Sequence, residues 1–274
     1  MPEPAEARYV MGHTDRERRR LTLQGAILNP ITESFLRRAG IAEGMHTLDI
    51  GCGVGEVAIL AGRLVGARGR VTAVDIDEAA LAIAESRARE QGLANVSFVR
   101  ARLEDFKPEH LFDAVIGRHI LIHTADPLAI VQTAWRNVRW GGVAAFQEFD
   151  FSVVHQAYPV RPLGDRLMQV FRDFFWTATH GNIGTRLFHL LLDAGFATPS
   201  CRAEYPLDGG PDSPFYEWMA EALRSIYPRV KGLGIEIPFD LDLDTLADRL
   251  RAEAVALNAC CPSPAMVGAF ARKH

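Results

Sequence analysis

Short apolar runs alternate with longer stretches of helical periodicity between residues 46 and 150. The strand-like runs are TLDI (47–50), RVTAVD (70–75), VSFVR (96–100), FDAVIG (112–117) and GVAAFQEF (142–149). Between them, apolar residues recur every three or four positions over residues 56–66, 77–92 and 126–142, which is the spacing of an amphipathic helix. Because strand and helix alternate strictly, the pattern predicts an α/β fold with a doubly wound parallel sheet and right-handed crossovers.

The third of these helices has signals at both ends. Asp126 can cap its first turn, and Pro127 suits the first helical position,. We expect the helix to run to the paired glycines Gly141 and Gly142, because glycine is typical of helix ends.

Helical patterns also flank this region. Thr14 and Glu17 have the three-residue spacing of a capping box,, so residues 1–45 are expected to form an N-terminal helical lid. Residues 151–200 hold an aromatic-rich helical stretch, which we expect to cap the ends of the strands. Residues 201–274 alternate strand and helix patterns again, and we expect them to complete the sheet.

Composition and charge limit the kinds of partner that the protein is expected to bind. The chain has 274 residues, 48% of them apolar, and a formal net charge of −4. It therefore lacks the basic field that holds nucleic acids or anionic membranes, and a small-molecule partner is expected instead. The four cysteines show no metal-ligand spacing, and the N-terminus has no signal-peptide pattern,. We predict a cytoplasmic protein with free thiols; a homodimer is left open.

A glycine-rich loop follows the first predicted strand. Asp49, Gly51, Gly53 and Gly55 form a D-x-G-x-G-x-G pattern, at the place where open parallel sheets bind ligands. Glycines there let a ligand approach the main chain, beside the N–H groups that begin the next helix. Dinucleotide binders have G-x-G-x-x-G instead, and here Glu56 takes the place of the last glycine,.

Two cofactor classes stay open at this point: a dinucleotide, and a nucleoside that carries an amino-acid moiety. The acidic Asp49 beside the loop suits a ligand with an ammonium group. Asp75 ends the second predicted strand and can accept hydrogen bonds from both ribose hydroxyls. Since both classes carry a ribose, Asp75 does not choose between them.

The motifs in this region resemble those of class I S-adenosylmethionine-dependent methyltransferases. The matching stretches are LDIGCGVG, VTAVDIDEAAL, FDAVIGRHILIHTADP and NVRWGGVAAFQEFD, together with a Y-x-x-G segment at Tyr9 to Gly12. The resemblance implies a Rossmann-like core over residues 46–150 with a mostly parallel sheet of seven strands. It also implies S-adenosylmethionine as the cofactor and a small-molecule acceptor.

The resemblance further implies a set of cofactor-binding residues. Asp49 would hold the ammonium group through water, Asp75 the ribose, and Ile76 would pack on the adenine. The full predicted set is Tyr9, Asp49, Gly51, Cys52, Gly53, Asp75, Ile76, Arg102, Leu103 and Arg118. One departure concerns Arg102: relatives commonly have an acid there, whereas this chain reads ARLED, and arginine cannot accept a hydrogen bond from adenine.

Catalytic residues are harder to find, because methyl transfer depends mainly on alignment. His119 follows the fourth predicted strand and is the first candidate base, with a role in lining the cofactor carboxylate as the alternative. Glu148, at the end of the fifth strand, is the second candidate. His119 and His123 share no third ligand of suitable spacing, so no metal is predicted. Phe175, Trp176 and His180 are expected to contact a flat, apolar acceptor.

We therefore predict methyl transfer to a small aromatic or polyketide-like acceptor. Three alternatives remain at the level of the sequence. The first is a cyclase or isomerase that binds S-adenosylmethionine without transferring its methyl group. The second is an NAD-dependent oxidoreductase, and the third is a ligand sensor without catalysis.

Overall fold

The computed structural model describes residues 15–153 and 155–274. The strands are β1 (His46–Ile50), β2 (Arg70–Asp75), β3 (Val96–Arg100), β4 (Phe112–Arg118), β5 (Val138–Asp150), β6 (Ala197–Glu204), β7 (Leu207–Gly209), β8 (Cys260–Pro262) and β9 (Ala265–Arg272). The helices are α1 (Asp15–Ala39), α2 (Glu56–Val65), α3 (Glu78–Glu90), α4 (Pro127–Asn137), α5 (Pro162–Ala178), α6 (Ile183–Asp193), α7 (Phe215–Gly232) and α8 (Leu246–Leu257), with a short 3₁₀ helix at Leu121–His123.

Seven strands form the main sheet, in the order β3-β2-β1-β4-β5-β9-β6. The first five strands pair in parallel, and β1 lies between β2 and β4. The strand order therefore reverses beside β1, which is the point where such sheets bind ligands. This confirms the predicted doubly wound, mostly parallel sheet of seven strands.

Apolar side chains from α2, α3 and the strands of the main sheet form a hydrophobic core. Val57, Ala61 and Val65 of α2 and Leu81 of α3 lie in it with Ile116 of β4. The period of about 3.6 in the helices places these residues on one face. The core thereby fixes the start of α2, and with it the loop that joins β1 to α2.

The chain divides into two compact units. The unit that we call the sheet unit holds Leu28–Glu148, Ile183–Ala203 and Val267–His274. The second unit holds the described residues up to Ile27, together with Phe149–Asn182 and Glu204–Met266. In this second unit, β7 and β8 form a separate antiparallel pair.

One predicted boundary is wrong. The helix expected over residues 126–142 ends at Asn137, and Val138 already pairs with Phe112 of β4. Lys273 donates hydrogen bonds from Nζ to the carbonyls of Trp135 (2.7 Å) and Val138 (2.9 Å). Pairing with the neighbouring strand therefore prevails over the helix signal of the paired glycines. At the other end of α4, the Asp126 carboxylate accepts from Ala129 N–H as predicted.

The predicted capping box lies partly outside the described residues, since Thr14 precedes them. Helix α1 continues to Ala39 and has Pro30 inside it. Across residues 15–153 and 155–274, every helix is too short or too polar to cross a membrane.

Candidate active site

The loop between β1 and α2 combines two uses of glycine. Gly53 has a φ of 50°, and a Cβ placed there would meet no atom within 4 Å. Gly55 has a φ of 82°, and a Cβ there would lie 2.8 Å from Cβ of Ala84 on α3. Gly53 therefore leaves open main chain for a ligand, whereas Gly55 lets the loop pack tightly against α3.

Asp49 lies behind this loop with one oxygen unsatisfied. The residue is 1% exposed, and its carboxylate accepts from the main chain of Ala58 in α2. Among the described residues, none is a hydrogen-bond partner of its Oδ2. Burial raises the pKa of Asp49 to about 8, against the opposing charge of Arg118,. A buried carboxyl oxygen without a donor is costly, so this position suits a ligand that brings one.

Asp75, the residue predicted to bind a ribose, links the glycine loop to the end of β2. Its Oδ2 accepts from Gly53 N–H (2.7 Å) and its Oδ1 from Asp77 N–H (2.9 Å). Each carboxylate oxygen has a further lone pair, so the side chain can also accept from ligand hydroxyls. The carboxylate thus ties the glycine loop to the end of β2.

The residues predicted to contact adenine lie near Asp75. Ile76 directly follows it and is 59% exposed, as expected of an apolar side chain that a ligand covers. The main chain of Ala101 donates to Asp75 O (3.0 Å), which brings the neighbouring Leu103 turn towards β2. Arg102 is exposed, with its Nε 3.8 Å from Glu104 Oε2. An exposed guanidinium can stack on a ring but leaves hydrogen-bond acceptance to other groups.

Arg118 is the centre of a partly buried polar network that the sequence did not reveal. Its Nη1 donates to Asn29 Oδ1 (3.0 Å) and Thr32 Oγ1 (2.9 Å) of α1. Thr32 Oγ1 lies 2.7 Å from Gln147 Oε1, and Asn29 donates to Glu56 Oε2 (3.0 Å). The spacing of Asn29 and Thr32, three apart and therefore on one face of α1, was the available signal,.

Two acidic residues act on the charge of Arg118: Asp49, which precedes the glycine loop, and Glu56, which follows it. Burial lowers the pKa of Arg118, while Glu56 and Asp49 act in the opposite direction. Glu56 also forms an ion pair with Arg87. Glu56, which excludes the dinucleotide pattern, therefore serves as an acceptor within this network.

The two predicted catalytic residues lie on adjacent strand ends. His119 has a φ of 56° and donates its main-chain N–H to Gln147 O (3.0 Å). Glu148 is fully buried, and its Oε1 accepts from Leu121 N–H (2.8 Å). Burial raises the pKa of Glu148 to about 8. The structure thus differs from the solvated acid that is usual at a strand end.

The remaining predicted residues fall in several places. Cys52 is buried, with Sγ 3.9 Å from Gly53 O, and Tyr9 lies outside the described residues. In the second unit, Phe175 is buried and stacks on Phe151 with ring centroids 4.4 Å apart. Trp176 is 53% exposed and His180 half-buried. The contacts predicted for Phe175, Trp176 and His180 with an acceptor stay predictions.

Comparison with known families identifies the domain that contains this loop. A family model described as a methyltransferase domain matches residues 41–189, more than half of the chain. The chain belongs to this methyltransferase family. S-adenosylmethionine is accordingly the cofactor of the domain, which decides between the two cofactor classes that the glycine spacing left open.

Curated relatives of this methyltransferase cover the same region. A ubiquinone biosynthesis O-methyltransferase from Aromatoleum aromaticum is 36% identical over 122 residues, which is 43% of this chain and 50% of the relative. A ubiquinone/menaquinone biosynthesis C-methyltransferase from Psychromonas ingrahamii is 31% identical over 113 residues, or 40% of this chain and 45% of the relative. The chain thus spans about half the length of the curated relatives that it matches.

Solved structures share the fold. The [4+2]-cyclase SpnF has a TM-score of 0.55 and 19% sequence identity, over 89% of this chain and 80% of the cyclase. At this identity the likeness concerns the fold alone. The likeness in fold therefore extends beyond residues 41–189, which the family model matches.

The residues at the loop fit S-adenosylmethionine. The unsatisfied Oδ2 of Asp49 can accept from the cofactor ammonium, directly or through water. Gly53 leaves its main chain open to the amino-acid part, and Asp75 and Ile76 offer a carboxylate and an exposed apolar surface. Within the described ranges no three His, Cys, Asp or Glu side chains cluster as metal ligands.

Proposed function

We propose that this protein transfers the methyl group of S-adenosylmethionine to a small aromatic acceptor, of the kind that a quinone precursor presents. The observation that carries the proposal is the buried Asp49 oxygen that has no partner among the described residues, together with the open space at Gly53 in the loop that follows it. The acceptor class is supported by the curated relatives, two of which are named for the biosynthesis of ubiquinone or menaquinone. One of these is an O-methyltransferase and the other a C-methyltransferase, so the acceptor atom is a question for experiment.

When bound, S-adenosylmethionine supplies a methyl group on a sulfonium, which is already an activated electrophile. The protein's part is to bind and align: Asp49 faces the ammonium, Asp75 the ribose, and the main chain at Gly53 the amino-acid part. Alignment of this kind can lower a barrier by about 7–11 kcal/mol.

His119 is proposed as the group that takes the acceptor's proton. The acceptor would form its bond to the methyl carbon as the bond from sulfur breaks, and the proton would pass to the imidazole. A base of near-neutral pKa speeds such a transfer by about 10²–10⁴-fold. His119 lies directly after β4, at the same edge of the sheet as Asp49 and Asp75.

The test is an assay with methyl-labelled S-adenosylmethionine and a panel of phenols, catechols and hydroquinones. We expect label in the product and one S-adenosylhomocysteine released per turnover. Product without S-adenosylhomocysteine would indicate the cyclase or isomerase alternative, and cofactor binding without any product the sensor.

His119→Ala tests the base separately. We expect turnover to fall by about 10²–10⁴-fold while the affinity for S-adenosylhomocysteine stays within about twofold. Loss of both would assign His119 to cofactor binding instead.

A further inference from the structure

The segment that follows β4 has a backbone conformation that needs support. His119 adopts a φ of 56°. This value lies in the left-handed region, which residues other than glycine rarely adopt. Its N–H bond to Gln147 O continues the pairing with β5. The chain then turns at Ile120 into the 3₁₀ helix at Leu121–His123.

Glu148 provides that support from β5. Its Oε1 accepts from Leu121 N–H (2.8 Å) and its Oε2 from Ile122 N–H (3.4 Å), and the main chain of Ile120 also donates to this carboxyl group. These are the N–H groups that the start of a helix leaves without partners. The carboxyl group is 0% exposed, so water does not compete for them.

The same segment lies against the cofactor loop. A Cβ added at Gly51 would come within 2.5 Å of Ile120 Cδ1, and one at Gly117 within 3.0 Å of Ile120 Cγ2. The Ile120 side chain is therefore seated over these two glycines. A change in the backbone at residues 119–122 moves this side chain relative to Gly51.

We propose that Glu148 is a positioning residue, which holds the main chain of residues 120–122 and so keeps His119 in its left-handed conformation and seats Ile120 over Gly51. This role differs from the catalytic role predicted from the sequence, because both carboxyl oxygens are directed at the protein's own main chain. The proposal rests on the proposed function for the importance of His119 and of the cofactor loop.

The first test measures the backbone conformation of His119 by NMR. In Glu148→Gln, which keeps the size of the side chain but turns one acceptor into a donor, we expect NMR backbone shifts of His119 to leave the left-handed range. Asp113→Asn is the matched control, since Asp113 also accepts a main-chain N–H but at the opposite end of β4. Shifts at His119 that remain left-handed in Glu148→Gln would overturn the proposal. Should Glu148→Gln not fold, Glu148→Asp is assessed by the same criterion.

The second test follows cofactor binding. We expect Glu148→Gln to weaken S-adenosylhomocysteine binding by about tenfold, and Asp113→Asn to leave it unchanged. Because glycine adopts positive φ without strain, adding His119→Gly to Glu148→Gln should restore most of the affinity. Thr198→Gly, at another residue of positive φ (47°), should not. A loss of affinity that His119→Gly leaves unrepaired, or no loss at all, would overturn the proposal.

The two tests separate this proposal from the proposed function. If the unmodified chain does not bind S-adenosylhomocysteine, the proposed function fails. The His119 shifts then decide the role of Glu148 alone.

Discussion

Two carboxyl groups at opposite ends of the parallel strands, Asp113 and Asp49, differ in their hydrogen-bond partners. At the end where β4 begins, Asp113 accepts from His46 N–H (2.7 Å) and from Arg139 Nε (2.6 Å). Although burial opposes it, these hydrogen bonds lower the pKa of Asp113. At the end where β1 finishes, Asp49 is buried with one oxygen unsatisfied, and its pKa is raised to about 8.

The difference separates a residue that serves the fold from one that we propose serves cofactor binding. Asp113 has its partners within the protein and stabilises the fold as a carboxylate. Among the described residues, Asp49 Oδ2 lacks a partner, which lowers stability but offers an acceptor to a cationic ligand. A site that is incomplete without its ligand is expected where binding takes place.

The largest effect should appear in the pH dependence of stability. The folded-state pKa of Asp49, about 8, lies above its ordinary value of 3.8. Between these values the folded chain holds a proton that the unfolded chain has lost. Stability from this group is therefore complete below pH 3.8 and is lost as the pH rises through about 8. Asp49→Asn should remove this fall, which reaches about 1.4 kcal/mol per pH unit.

Urea unfolding of both proteins at pH 5, 6, 7 and 8 measures the effect. The gap between Asp49→Asn and the unmodified chain should widen with pH in favour of the variant. Parallel curves would mean that Asp49 is already ionised in the folded chain.

The next effect concerns two of the loop's glycines, Gly53 and Gly55. Gly55→Ala introduces a Cβ at positive φ that lies 2.8 Å from Ala84, and we expect a loss of about 2–4 kcal/mol in the free energy of unfolding. Gly53→Ala has the same kind of strain but open space, and should cost only about 1–2 kcal/mol. Denaturant titration compares the two, and equal losses would contradict the division of roles between them.

Removal of Asp75, the proposed acceptor for the ribose hydroxyls, should weaken cofactor binding. We expect Asp75→Ala to weaken S-adenosylhomocysteine by about 1.5–3 kcal/mol, the range for hydrogen bonds to a charged group. Calorimetry measures the affinity, and Asp113→Ala serves as the carboxylate control at the other end of the sheet. Unchanged affinity in Asp75→Ala would place the ribose elsewhere.

The smallest effect belongs to Asp113→Asn. Because the pKa of Asp113 is lowered in the folded chain, its contribution is present above pH 3.8 and is lost as the pH falls. At pH 7 we expect the variant to be less stable by about 0.5–1.5 kcal/mol, opposite in sign to Asp49→Asn. A stabilised variant at pH 7 would remove the contrast between the two ends.

The sequence predicted the fold well, because strands and helices here follow their own local periodicity. The strands at β1, β2, β3 and β4 lie within a residue of their predicted bounds. The predicted end of α4 was wrong, since Val138 is recruited by pairing with Phe112 and by Lys273, more than 100 residues away. Local pattern carries no information about such partners.

The site was predictable where it rests on a continuous motif and not where it rests on distant contacts. Asp49, Gly53 and Asp75 stand in one recognisable spacing. The bonds from Arg118 to Asn29 and Thr32 join residues 89 and 86 positions apart. The bonds from the main chain of Leu121 and Ile122 to Glu148 depend equally on the packing of the sheet.

A crystal structure with S-adenosylhomocysteine tests the central claim most directly. We predict that the amino-acid part lies on the main chain of Gly53, with its ammonium facing Asp49, and that both ribose hydroxyls donate to Asp75. A ligand bound elsewhere, or a tail that leaves Asp49 Oδ2 without a donor, would contradict this account.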